Sequence, residues 1–297
     1  MCGIVGLHLT DPALEPRLGE LLVPMLDAMC SRGPDSAGIA IYDHPPFPGR
    51  LRYTVRGAAG VGWPQVAERL ADALGSPVAV SVTAVHAILT TTAAEPDLRR
   101  ELKTVLPEGV IVGWGEALWI LKDLGTPAQI CERYGIAGAR GYQGVGHTRM
   151  ATESAVTIDH SHPFAPAADL TVVHNGTFSN YATVRRRLVD AGERFETDND
   201  TEVVARFIGR RLAEGDDLTE ALRRVLKDFD GFYTLLVATK DEFAVVRDAF
   251  ACKPLVVAEG PGFVAVASEY HAMAGLPTIA KARVFEPKPE EISTWSR

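Results

Sequence analysis

The sequence predicts an α+β protein built on antiparallel strands, and three features point there. Short β-rich runs bounded by Gly, Asp, Lys and Pro turns crowd both ends of the chain. Two amphipathic helical runs lie side by side before the last group of strands. Apolar residues make up 46% of the 297 positions, enough to bury a full core.

Taken in order, CGIVGLHL reads as a strand, LGELLVPMLDAM as a helix and GIAIYD as a second strand, with SRGPDSAG as the loop between the last two. From about His44 to Gln143 the texture changes. PPFPG breaks any regular element; WPQVAERLADALG, EPDLRRELKTVL and PAQICERYG have helical spacing, and AVSVTAVHAILTTTA is β-rich. This stretch is expected to form a small α/β subdomain inserted over 45–143 within a domain that spans 2–297. Four motif-bearing runs follow, GHTRMATES, HSHPF, TVVHNGTFSN and ETDNDTE, set on strand ends and loops. TEVVARFIGRRLAEG and LTEALRRVLKDF then read as amphipathic helices, the first starting at the capping-type residues Asp200 and Thr201. FYTLLVAT, FAVVRDA, PLVVAEG and FVAVASE close the chain as an antiparallel meander.

Charge and composition narrow the function. The formal net charge of −8 gives no electrostatic support for a nucleic-acid or anionic membrane surface. No apolar run approaches the ~20 residues needed to cross a bilayer, so a soluble, cytoplasmic protein acting on a small polar or zwitterionic partner is expected. The cysteines Cys2, Cys30, Cys131 and Cys252 lack CxxC spacing, which leaves neither a disulfide framework nor a zinc knuckle indicated.

Cys2 stands directly behind the initiator methionine. If Met1 is removed, the freed α-amine, titrating near ~7.7 to 8.0 in model peptides, can act as base for the thiol. The bland alternative is a small buried thiol at a chain end. His174-Asn175-Gly176 follows a β-rich run and offers a carboxamide N–H and a backbone N–H to an oxyanion; on local sequence alone the β-turn, for which Asn-Gly is the commonest dipeptide, is the favoured reading. Arg149 falls inside an apparent buried strand, where a guanidinium needs a carboxylate from either a ligand or an internal acid. Asp200 is explained as a helix N-cap, or as the partner of a substrate ammonium. His147, His160, His162 and His174 invite a metal reading, because HxH spacing on a strand directs both rings to one face; structural or substrate-facing roles fit Pro163 and the strand-end position of His174 better.

Taken together, MCGIVG, RGPDSAG, GHTRMAT, HPF, VVHNGTFSN and TDNDTE, in that order over about 200 residues, resemble the class II glutamine amidotransferases, which are N-terminal-nucleophile hydrolases. The resemblance implies a four-layer αββα sandwich of two antiparallel sheets and hydrolysis of the glutamine side-chain amide, with ammonia passed to an acceptor site elsewhere. It implies Cys2 as nucleophile, its amine as base, and Asn175 with Gly176 as oxyanion hole. It implies Arg149 on the substrate carboxylate and Asp200 on its ammonium, Thr152 and His162 as further carboxylate-side contacts, and Arg32 as a loop arginine shaping the surroundings of the nucleophile. No metal and no cofactor is expected on the chain itself. Glu153 stands where the sugar-phosphate aminating branch usually carries a histidine, whereas ICERYGIAGARGYQGVGHTRMATES resembles the glutaminase part of glutamate synthases. The layout therefore resembles a glutaminase subunit of glutamate-synthase-like assemblies, the N-methylglutamate synthases among them. Its partner would be a flavin-bearing synthase subunit.

Overall fold

The first strand of the chain is buried on both faces, and its alternation explains the layers around it. In the computed structural model, which describes residues 2–45, 47–150 and 157–297, β1 (Gly3–Leu9) sends Val5, Leu7 and Leu9 to one apolar cluster and Ile4 to another. In chain order there follow α1 (Leu18–Asp27), β2 (Ser36–Tyr42), β3 (Leu51–Arg56), α2 (Trp63–Leu74), β4 (Ala79–Thr83), β5 (His86–Thr91) and α3 (Glu95–Val105). Next come β6 (Val110–Gly115), β7 (Leu118–Leu124), α4 (Pro127–Arg133), β8 (Gln143–Arg149), β9 (Thr171–Phe178), α5 (Tyr181–Asp190), α6 (Asp200–Ala213) and α7 (Leu218–Asp228). The chain closes with β10 (Gly231–Ala238), β11 (Glu242–Arg247), β12 (Val256–Gly260), β13 (Phe263–Ala267), β14 (Arg283–Phe285) and β15 (Ile292–Ser296).

Among the described residues these strands form three antiparallel sheets. The largest runs β14-β12-β13-β1-β8-β2-β7, the second β15-β11-β10-β9, and the third β4-β5-β3-β6. Leu18, Leu22, Met25 and Leu26 of α1, joined by Ile130 of α4, cover the outer face of the first sheet. Val203, Val204 and Ile208 of α6, with Leu222 and Val225 of α7, cover the outer face of the second. Ile4, Ile120 and Val145 of the first sheet meet Val173, Leu236 and Phe243 of the second between them. The order is helix, sheet, sheet, helix: a four-layer αββα sandwich. The inner layers come very close at Gly6, where a Cβ would lie 2.6 Å from the Phe243 ring and 2.7 Å from Leu236.

The last four β-rich runs are not one meander. β10 and β11 pair in the second sheet, whereas β12 and β13 join the first. All four strands are apolar and mostly buried, so periodicity marks them as strands without saying which neighbour each takes. The insert is also shorter than 45–143. The third sheet and its two helices occupy Leu51–Gly115, with their own core around Tyr53, Leu70, Leu89 and Leu102. Leu118–Leu124 instead pairs with β2, and α4 packs under the first sheet.

Only Glu116 and Ala117 separate the third sheet from the first. Asp169, 5% exposed, clamps this crossing: Oδ1 accepts the N–H groups of Ala117 (2.9 Å) and Leu118 (3.0 Å), and Oδ2 that of Glu116 (3.0 Å). Asp169→Ala strands three backbone donors at once. It is expected to cost about 3 kcal/mol or more in urea unfolding, against a change within about 0.5 kcal/mol for the half-exposed Val189→Ala.

Candidate active site

Cys2 precedes β1 and is half-buried. β1 is held on both sides, by β13 and by β8, so the backbone leading back to Cys2 has little freedom. The Cys2 carbonyl accepts two hydrogen bonds from distant segments: from Arg32 Nε at 3.0 Å and from Asn175 Nδ2 at 3.2 Å. Arg32 ends the short 3-10 turn Cys30–Arg32, is 8% exposed, and is held by Glu269 at 2.5 Å. The Arg32 expected near Cys2 is thus in direct contact with it.

Asn175 and Gly176 do not form a β-turn. They lie within β9, opposite Thr234 and Tyr233 of β10. Val173 points into the layer between the sheets, and Asn175, two residues on, sends its carboxamide across that layer to Cys2. Gly176 has φ +141°, and a Cβ there would sit 1.9 Å from the Phe232 carbonyl oxygen, so only glycine fits the strand at this point.

Arg149 is the last residue of β8 and is 6% exposed. The Gly3–Thr148 pairing places it one residue further along, at the level of Cys2. Asp200 is not the cap of α6. Asn199 is, its side chain accepting the Thr201 N–H at 2.8 Å. The Asp200 carboxylate accepts the Phe178 N–H at 3.1 Å and the Thr201 hydroxyl at 3.3 Å, which ties it to the same strand that carries Asn175 and Gly176. Thr152 lies outside the described residues.

Behind these residues Thr201 joins two histidines. His162 Nε2 is 2.8 Å and His174 Nδ1 2.9 Å from its hydroxyl. His147 packs on His162 with ring centroids 4.0 Å apart and donates from Nε2 to the His174 carbonyl at 3.0 Å. Burial lowers the pKa of all three rings, that of His147 to about 3, so they are neutral near pH 7. The shared face of His160 and His162 that a metal reading would need does not form, because 157–163 is not a strand. His160 turns to Thr157 (2.6 Å) and Asp198 (2.7 Å) while His162 turns inward. Among the described residues no three His, Cys, Asp or Glu side chains gather as a metal-ligand set. Thr201 and Glu269 have structural importance that the sequence hides: the first reads as a helix cap, and the second sits 237 residues from the arginine it holds.

The chain is similar to several known proteins. Residues 147–275 match the family described as the glutamine amidotransferase domain. The glutamine amidotransferase-like protein GlxB of Rhizobium meliloti is 45% identical over 297 residues, covering 99% of this chain and 98% of its own. A glutamine–fructose-6-phosphate aminotransferase of Thermococcus kodakarensis is 34% identical over 168 residues; the match covers 55% of this chain and 27% of that enzyme. The glutamine phosphoribosylpyrophosphate amidotransferase of B. subtilis shares the fold at TM-score 0.62 and 19% identity, with all of this chain matched to 49% of that one.

The neutral histidines predict a pH dependence of stability. The unfolded chain takes up protons on these rings below about pH 6.5, whereas the folded chain resists them. Stability present above about pH 6.5 should be lost as pH falls towards 3, with a slope of about 1.4 kcal/mol per pH unit from His147 and further loss in the same direction from His162 and His174. Urea unfolding between about pH 7 and 4.5 should show one such increment less for His147→Asn than for the parent chain.

Proposed function

Because the chain belongs to the glutamine amidotransferase family, we propose that it hydrolyses the side-chain amide of glutamine to glutamate and ammonia through Cys2. The observation that carries this reading is the convergence of Arg32 and Asn175, 30 and 173 residues away, on the carbonyl of Cys2. Loss of Met1 frees the α-amine of Cys2, which takes the thiol proton as the sulfur attacks the amide carbon. The oxyanion that forms meets the Asn175 carboxamide and the Gly176 N–H. The α-ammonium returns its proton to the leaving nitrogen, ammonia departs, and water cleaves the γ-glutamyl thioester to give glutamate and the free thiol. Arg149 pairs with the substrate carboxylate and Asp200 with its ammonium; Thr152 and His162 add contacts on the carboxylate side.

The ammonia is passed to a separate synthase subunit resembling the flavin-bearing glutamate synthase barrel, in an assembly of the N-methylglutamate synthase type. The likeness of Ile130–Ser154 to the glutaminase part of glutamate synthases supports this reading. Co-purification of the tagged chain with a flavin-bearing subunit tests it, and a partner without flavin would overturn that part alone.

Cys2→Ala should abolish glutamate release from glutamine while leaving the free energy of urea unfolding within about 0.5 kcal/mol of the parent. Asn175→Ala should lower kcat by about 10² to 10³. Mass spectrometry of active protein should show Cys2 as the first residue; full activity with Met1 retained would sink the mechanism.

A further inference from the structure

A cavity of about 370 Å³ lies away from Cys2, between the inserted sheet and the sandwich. The insert contributes Leu102 and Lys103 of α3 and Ile111 of β6. The sandwich contributes Lys122 of β7, Phe164, and Thr197 with Glu202 from the start of α6 and the loop before it.

The charges around the cavity do not balance locally. Arg99 is taken up by Glu95 and Glu196, Arg206 by Glu202 (2.7 Å), and Asp159 by Arg56 (2.5 Å). These contacts occupy the acids that line the space. Lys122 and Lys103 are left without a carboxylate partner among the described residues. Lys122 is 6% exposed, and its ammonium has three donors. One reaches the Ser161 carbonyl at 2.9 Å, and the Phe164 ring centroid lies 5.1 Å away. A buried ammonium with one hydrogen bond and no counter-ion is costly. Here desolvation outweighs the more distant acids and pushes its pKa down to about 8. What such a group lacks is an anion, and open space lies where one would sit.

We propose that this cavity binds a small anionic metabolite, its carboxylate or phosphate held between Lys122 at the floor and Lys103 at the mouth, and its apolar body against Ile111 and Phe164. The occupant would also touch the support of a neighbouring loop. Glu202 accepts the N–H groups of Glu196 (2.9 Å) and Thr197 (2.7 Å) and the Thr197 hydroxyl (2.7 Å), which fixes the turn leading to Asp200. Binding at this cavity is independent of the glutaminase reading, since none of its contacts involves Cys2, Asn175 or Gly176.

Calorimetric titration of the full chain with inorganic phosphate and, separately, with succinate tests the site and tells the two head groups apart. At least one should saturate at one equivalent. Lys122→Met should weaken that binding at least about tenfold. Lys103→Ala, at an exposed position that threatens no core packing, should weaken it about threefold. Hydrogen exchange with the anion bound should slow at the amides of Glu196 and Thr197 and across 99–112. Failure of both anions to saturate, unchanged binding in Lys103→Ala together with Lys122→Met, or protection confined to other segments would each overturn the assignment.

Discussion

The carbonyl of Cys2 is the point on which the rest of the site depends. It lies just before β1, and among the described residues two side chains from different layers find it. One is a guanidinium, whose hydrogen bonds are typically worth about 1.5–3 kcal/mol. The other is a carboxamide that must cross from the second sheet to the first. A residue at a chain end is ordinarily free to fray. Here it is fixed from both sides of the sandwich, and the fixing groups come from the RGPDSAG and HNG motifs that also mark the family.

The support behind that point is polar but uncharged. His147, His162, His174 and Thr201 fill the space between β8, β9 and α6 with neutral groups that can each donate and accept. A leucine there would pack as well but would leave the Asp200 carboxylate without the Thr201 hydroxyl and the nearby His174 ring, 3.8 Å away. A charged residue would carry a desolvation cost that the Asp200 carboxylate, near His174 alone, does not outweigh. Neutral imidazoles meet both demands, and their depressed pKa values are the consequence of that placement.

Much of this was legible in the sequence. The alternation in GIVGLHL, the helical spacing of LGELLVPMLDAM and the two amphipathic runs after Asp200 set most of the strands and helices, because local period reports which face is buried. What it does not report is pairing. β10 to β13 look alike as isolated apolar strands, whereas in the fold Leu236 of β10 and Phe243 of β11 face Gly6 across the layer between the sheets and β13 pairs beside β1. Asn-Gly suggests a turn because few strands tolerate a positive φ; β9 tolerates it because Gly176 has no Cβ to meet the Phe232 carbonyl. Asp200 looks like a cap because it begins a helix, yet Asn199 takes that role and leaves the carboxylate for Phe178. The short strands β14 and β15 carry little periodicity of their own and form by adding to edges already made.

The insert is bound to this arrangement through β7, a strand of the sandwich that follows the last strand of the insert after two residues. Asp169 holds the start of β7 to the approach of β9, the strand of Asn175 and Gly176. Further along β7, Lys122 lies opposite Gly38 of β2 and reaches the carbonyl of Ser161, the residue before His162. A shift of β7 therefore cannot be confined to the insert. It would move the segment carrying His162 and the lead into β9 together, because both are anchored to the same seven residues by groups too buried to find water instead.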